Sequence, residues 1–492
     1  MKSLTVVTMS FPEETYAGDQ RDLESELDYA KHQAARGNRR RFLMMGLLCF
    51  GIVALAAGIG VAVASQKQEG DDFDGATGSN NESSPRPAPG GVPAPAPTDP
   101  TTPEQQKAHE TIKNAARFGG TEFEDPSSYQ SAALSWVTSQ DLPAPGSPLQ
   151  LEEQAIQLYA LACIYYNTYS TRSAWTDFHF GSDVAVPGWF TSRGWLGDPS
   201  QMCEWYGITC NNAGKVEKIE LATNGLTGYF PPEAALLHES LNYLDLYNNI
   251  IHNKGDLGNS FLGELTNLEY LFYGTTSFEY DGIPTEIGAL TKLKEYDCSY
   301  SLYFGDLRGE SFAKLSNLNY LVMDGNAYNS TLPAELVALP ELEFLYAGFS
   351  FVEGTLDFVG DMPKIFELWV DDNPGLAGPI PASIGDASTL VSFSATNCGL
   401  VGSIPTELGQ LTEMIQMWLY DNDLDGTIPT ELGNLIKMKV LNVQKNNLTG
   451  SMPGELCGRR DPFGRLEDLE ADCDSEVECT CCTCCGEDCI DL

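Results

Sequence analysis

Between residues 216 and 453 the chain repeats one pattern ten times, with copies beginning at Val216, Leu241, Leu268, Leu293, Leu318, Leu342, Ile365, Leu390, Met414 and Met438, 23 to 27 residues apart. Units of this length cannot each bury an apolar edge alone, so they must stack into a solenoid. In the copy Met414-Ile-Gln-Met417-Trp-Leu419-Tyr-Asp-Asn422-Asp-Leu424-Asp-Gly426-Thr-Ile428-Pro429, apolar residues hold the first, fourth and sixth places and Asn the ninth. The alternation LxxLxL predicts a short strand with one face turned inward.

At the ninth place stand Asn224, Asn249, Thr276, Ser301, Asn326, Ser350, Asn373, Cys398, Asn422 and Asn446. A turning backbone there leaves N–H and C=O groups without ladder partners, and a side-chain amide can both donate to and accept from them. Hydroxyls do this less fully and a thiol only weakly. The coils from Thr276 to Ser350 are therefore expected to be the less regular ones.

The string LxxLxLxxNxLxGxIP in the copies beginning at Ile365, Leu390, Met414 and Met438 resembles the plant-type leucine-rich repeat. The resemblance implies an α/β leucine-rich-repeat solenoid of about ten coils. Each coil would give a parallel strand to a curved concave sheet, a second short strand or turn at the Gly, and a convex helical segment. Upstream, Trp195-Leu-Gly-Asp-Pro-Ser-Gln-Met-Cys203-Glu-Trp205-Tyr-Gly207-Ile-Thr-Cys210 looks like the N-terminal cap of extracellular plant-type repeats. With Leu158-Tyr-Ala-Leu-Ala-Cys-Ile-Tyr-Tyr166 before it, the segment is similar to algal relatives of those proteins. The resemblance covers roughly residues 127–492 and leaves the first hundred untouched.

Residues 42–64 carry no charge over 23 positions. As a helix they would span about 35 Å, enough for a bilayer core. Arg36, Arg39, Arg40 and Arg41 precede this stretch and only Lys67 follows closely, so the positive-inside rule places the N-terminus in the cytoplasm. The expectation is one transmembrane helix acting as a signal-anchor, in a single-pass type II arrangement at the plasma membrane with the repeats outside. Ala62-Val-Ala64 before Ser65 also has the form of a signal-peptide cleavage site, which would make the protein secreted. The tail, 1–41, reads as largely disordered and too short for a kinase. Residues 65–104 form a Pro-rich stalk, 105–215 an N-terminal helical and disulfide cap, 216–456 the repeats, and 457–492 a Cys-rich C-terminal cap.

The chain has 28 Lys plus Arg against 69 Asp plus Glu. Residues 1–41 hold seven of each, so the net charge of −41 lies wholly beyond them. Such acidity excludes nucleic acid as a partner and favours cationic groups. Sequons at Asn81, Asn329 and Asn447 would permit glycosylation on an exported chain.

Of 14 cysteines, Cys49 falls in the apolar stretch, Cys163 on an apolar helix, and Cys298 and Cys398 at inward repeat places. Cys203 and Cys210 match the pair of the cap it resembles. Cys457, Cys473, Cys479, Cys481, Cys482, Cys484, Cys485 and Cys489 cluster at the C-terminus, where 105 pairings are open. They are read as disulfides that staple a terminal cap, a thiolate metal site being the rival.

No catalytic constellation is legible, so the chain is read as a non-enzyme without cofactors. His179, near Trp175 and Asp177, has no nucleophile in a recognisable setting. The run Asp421-Asn-Asp423-Leu-Asp425-Gly426 imitates the start of a calcium loop, but Leu432 stands where that loop needs Glu.

Function is instead expected at the third, fifth and seventh places, which alternate away from the core and line up on the concave sheet. They give Tyr243, Asp245 and Tyr247; Tyr270 and Phe272; Glu295 and Asp297; Tyr320 and Asp324; Phe344 and Tyr346; Glu367, Trp369 and Asp371; and Gln416, Trp418 and Tyr420. Asp372 and Asp421 stand beside them at the eighth place. An aromatic and acidic sheet face is a candidate binding surface, about 45 Å wide. The alternative is that the rings pack on neighbouring coils and the acids are merely solvated. The reading adopted is a cell-surface recognition or adhesion protein, receptor-like without a kinase. It would bind an extracellular protein or peptide on the concave face, with a signalling co-receptor. The alternative is a secreted or wall-associated protein that binds polysaccharide or inhibits a secreted enzyme.

Overall fold

A computed structural model describes residues 100–169, 188–251, 261–276, 280–460, 465–473 and 477–485. The segments 1–41 and 42–64, nearly all of the Pro-rich stretch, Asn81, His179 and Cys489 lie outside the described residues. Among the described residues no helix is long and apolar enough to cross a membrane.

The LxxLxL alternation produces the strands it predicts. A thirteen-stranded sheet runs from Ile208–Cys210 through Val216–Glu220 and one strand per copy to Val440–Asn442, and then continues beyond them. Only the first pairing is antiparallel; from Val216–Glu220 onward every neighbour is parallel. Register is kept by the fourth place, where Leu244, Leu271, Tyr296, Leu321, Leu345, Leu368, Phe393, Met417 and Leu441 lie side by side in successive strands. A one-residue slip would turn this row to solvent, so burial locks the register. First and sixth places complete the core, as in Leu241 and Leu246 or Met414 and Leu419.

Four coils add a second parallel sheet, Ala377–Gly378, Gly399–Ser403, Asp423–Gly426 and Asn447–Leu448. These are the copies that keep LxGxIP, with Met452 in the Ile place of the last. In the middle coils the second layer is reduced to short pairs and isolated bridges such as Phe304 with Ala327 and Ser330 with Val352. The middle is thus less regular on this side, while its concave strands stay in register.

The Ile-Pro pair starts the convex segment. Ile380, Ile404 and Ile428 are buried, and Pro381, Pro405 and Pro429, held near φ −70°, precede the short 3-10 helices Ala382–Asp386, Thr406–Gln410 and Thr430–Asn434. The coils approach closely here: a Cβ on Gly409 would stand 2.4 Å from the carbonyl oxygen of Glu431.

The N-terminal end is closed by three helices, Pro103–Asn114, Tyr129–Thr138 and Leu151–Thr168. The third is apolar nearly all round because it is buried between the other two and the first coil. Its Gln157 Oε1 accepts a hydrogen bond from Val216 N at 2.6 Å. The buried Glu233 accepts from Tyr129 Oη at 2.8 Å and Gln130 Nε2 at 3.2 Å. Cys203 and Cys210 are disulfide-bonded.

At the C-terminal end the sheet continues past residue 457. Leu466-Glu-Asp-Leu469-Glu-Ala471 repeats LxxLxL, and its three apolar residues are buried. The strand Asp468–Ala471 pairs in parallel with Val440–Asn442, and Cys484–Cys485 adds one more. Disulfides join Cys457 to Cys481 and Cys479 to Cys482, and Cys473 and Cys484 are also disulfide-bonded. The thiolate reading of these six residues is thereby set aside.

Candidate ligand-binding face

The outward places of the concave strands divide into an open part and a closed part. Tyr243, Tyr270 and Phe272 are half-exposed and form one cluster, with ring centroids 5.4 Å apart for Tyr243 and Tyr270 and 5.6 Å for Tyr243 and Phe272. Lys218, the third-place residue of the first copy, holds its Nζ 5.2 Å from the centre of the Tyr243 ring. Burial, then the neighbouring Asp245, pushes the Tyr243 phenol up to about 12. Tyr247, Glu295 and Asp297 are half-buried beside this cluster.

The second cluster starts with Tyr320 and Phe344, which are half-exposed, and continues inward. Tyr320 meets Phe344 at 5.7 Å and Tyr346 at 5.5 Å, and Tyr346 meets Trp369 at 4.7 Å. Phe366, a second-place residue outside the alternation, packs on Phe344 at 5.6 Å.

Four of the outward residues expected to bind a ligand are not presented to solvent. Tyr346 is 1 % exposed, Glu367 and Gln416 are 4 % each, and Trp418 is 7 %. The reason lies one coil away. The strand between Trp369 and Trp418 carries only Ser392, Ser394 and Thr396 outward. Their small size lets the two indoles lean together to 6.5 Å across it. Trp369 Nε1 donates to Ser392 Oγ at 2.9 Å, and Tyr346 Oη donates to Glu367 Oε2 at 2.7 Å. Here the rings pack on neighbouring coils, so Trp418 is no stacking platform for a ligand.

The carboxylates are largely engaged with backbone. Asp245 Oδ1 accepts from Tyr247 N at 3.0 Å and Asp297 Oδ1 from Ser299 N at 2.9 Å. Asp324 Oδ1 accepts from Gly348 N at 2.8 Å, and Asp371 Oδ1 accepts from Ser394 Oγ and Thr396 N. Burial raises the Asp245 carboxyl above its ordinary value. Asp372 is pushed up to about 6, first by burial and then by Asp371 and Asp421, against an opposing hydrogen bond from Asn397. Asp421 is exposed and Tyr420 half-buried. Asn329 and Asn447, the two sequons among the described residues, are exposed.

No family model matches the chain. Among curated proteins, 188 residues are 31 % identical to receptor-like protein kinase 7 of Arabidopsis thaliana, covering 37 % of this chain and 16 % of that protein. Receptor-like protein 39 of the same plant is 29 % identical over 189 residues, 38 % of this chain and 20 % of that protein. The repeat spacing, the parallel concave sheet and this sequence likeness agree. The chain is a leucine-rich-repeat solenoid that is similar, over part of its length, to plant receptor-like proteins. It spans a fifth or less of the length of the two relatives named. Among solved structures, a TDR receptor is similar with TM-score 0.46 and 28 % identity, over 48 % of this chain and 40 % of that one. The Arabidopsis receptor kinase HAESA in complex with the peptide hormone IDA and the co-receptor SERK1 gives TM-score 0.47 and 24 % identity, over 55 % and 47 %.

The sequence pattern located the face of this leucine-rich-repeat protein but not its open and closed parts. It also passed over Lys218, Asn442, Gln444 and Glu470, which occupy outward places of the first coil and of the last two. Phase alone could have found them, had the alternation been followed to both ends.

Proposed function

We propose that this leucine-rich-repeat protein is a cell-surface recognition protein that binds a protein or peptide ligand on its extracellular concave face. In this reading it is receptor-like, works with a co-receptor and has no catalytic role. The observation that carries it is the half-exposed cluster of Tyr243, Tyr270 and Phe272 with Asp245, Glu295 and Asp297 around it. Rigid rings ringed by carboxylates suit an apolar side chain flanked by basic ones, the composition of an amphipathic basic peptide. The similarity to receptor-like proteins supports the same reading. Anchoring by residues 42–64 is part of the proposal, resting on the length of the apolar stretch and the arginines before it.

The test is a titration of the full-length protein with basic amphipathic peptides and, separately, with oligosaccharides. Peptide binding should weaken steeply between about 0.05 M and about 0.5 M salt. It should fall about tenfold or more in Tyr270→Ala with Phe272→Ala. Oligosaccharide binding that ignores salt, or peptide binding that ignores both substitutions, would show the proposal to be wrong.

A further inference from the structure

The two outward side chains at the end of the last full copy, Asn442 and Gln444, are 8 % and 2 % exposed. Each keeps a buried carbonyl oxygen, Oδ1 of Asn442 and Oε1 of Gln444, that no donor reaches. Buried amide oxygens are normally paired, and each one left unpaired weakens the fold. Two on alternate residues of one strand end call for a reason. Strand register supplies their surroundings. Asn442 stands between Trp418 on one neighbouring strand and Glu470 on the other. Gln444 turns its Nε2 to Glu470 Oε2 at 2.7 Å, so its carbonyl end is the one left over. Asp472, next along, is already committed, accepting from Lys445 N at 2.8 Å and Asn446 N at 3.0 Å. Two orphan acceptors thus stand beside the Glu470 carboxylate, which is itself buried and hydrogen-bonded to Gln444.

We propose that this end of the concave face is a subsite for a guanidinium group, an arginine side chain of the ligand. The inference rests on the peptide-binding reading of the face. A guanidinium brings five N–H donors in one plane and no acceptor, so it can serve both amide oxygens and the carboxylate together. A compact ammonium satisfies acceptors spread along two strands less well. A neutral hydroxyl would set a further lone pair beside Glu470. The side chains that cover the two oxygens must part to admit the group, and afterwards they exclude water around it.

The test titrates the full-length protein with N-acetyl-Gly-Gly-Arg amide and with the same peptide carrying citrulline, which keeps the shape and loses the charge. The arginine peptide should bind at least about tenfold more tightly. Asn442→Leu with Gln444→Leu should abolish that preference. Equal binding of the two peptides to the unaltered protein overturns the proposal. So does a preference that survives the double substitution, because it would then come from the overall acidity of the chain. The peptide comparison needs no variant, so a variant that fails to fold leaves the test intact. Failure is also separable from failure of the wider reading. Amphipathic peptides that need Tyr270 and Phe272 but show no arginine preference would remove this subsite and leave the face.

Discussion

At the scale of single residues, the eighth place of each coil carries the strain of the fold. Thr223, Asn248, Thr275, Tyr300, Phe349, Asp372, Asn397, Asp421 and Lys445 all sit at φ between 47° and 59°, and Gly325 fills the same place at 67°. Side chains other than Gly, Asn or Asp adopt this conformation at a cost of about 1 kcal/mol each. Gly325 is not interchangeable with them, since a Cβ there would stand 2.2 Å from the Tyr300 ring. Asp372 combines this backbone with a carboxyl pushed up from 3.8 to about 6, chiefly by burial. A raised pKa means the folded state holds the proton more tightly than the unfolded chain. The associated stability is therefore complete below about pH 4 and lost as pH rises through 6. Asp372→Asn keeps an acceptor for Asn397 and tolerates the positive φ. It should raise Tm by about 1–2 °C at pH 7, a small figure because the group is partly solvated. The gain should shrink to nothing near pH 4; thermal melts across that range would show an unchanged offset if the pKa shift plays no part. The eighth-place conformation was legible only faintly, in the Asn, Asp and Gly letters there, because Tyr300 and Phe349 hide the pattern.

At the scale of the structural element, the ninth-place ladder shows why some coils are more regular than others. Asn373 Oδ1 accepts from Ser350 N at 3.1 Å and Val352 N at 2.9 Å, while its Nδ2 donates to Ala347 O and Val370 O at 2.8 Å. Ser301 Oγ donates to Tyr273 O and Ser299 O, which covers only the carbonyl half of that role. Thr276 Oγ1 is buried with no partner. Truncating Asn373→Ala leaves backbone donors and acceptors buried and unpaired, and should cost about 3 kcal/mol or more. Thr276→Val removes an orphan hydroxyl of equal size, and should be neutral or stabilising by up to about 1 kcal/mol. Urea titrations of the two variants would measure the contrast, and equal costs would contradict it. The ladder is not the whole account, however. Cys398 donates to Val370 O at 3.3 Å in a coil whose second sheet is intact. Regularity of the second layer follows the LxGxIP letters, and only partly the ninth place.

At the scale of the molecule, a solenoid has two ends where core would meet water, and this chain closes them differently. The N-terminal end is covered by helices, so its stability comes from buried area. The C-terminal end extends the sheet with Asp468–Ala471 and ties it by disulfides. Closing the 24-residue separation of Cys457 and Cys481 is worth about 3 kcal/mol. Reduction should therefore expose the amides of Asp468–Ala471 to hydrogen exchange before those of Glu367–Trp369, and simultaneous loss of protection would contradict a local staple. Among these features, the sequence by itself determined the coils, their register and the direction each strand residue faces, because a repeated local alternation decides all three. It also carried the terminal strand, in the apolar spacing of Leu466, Leu469 and Ala471. Tertiary structure alone decided which outward residues are open. Trp418 closes over Ser394, and Asn442 is left with an orphan oxygen, because the space above any strand is set by side-chain sizes one coil away, some 24 residues distant in the chain.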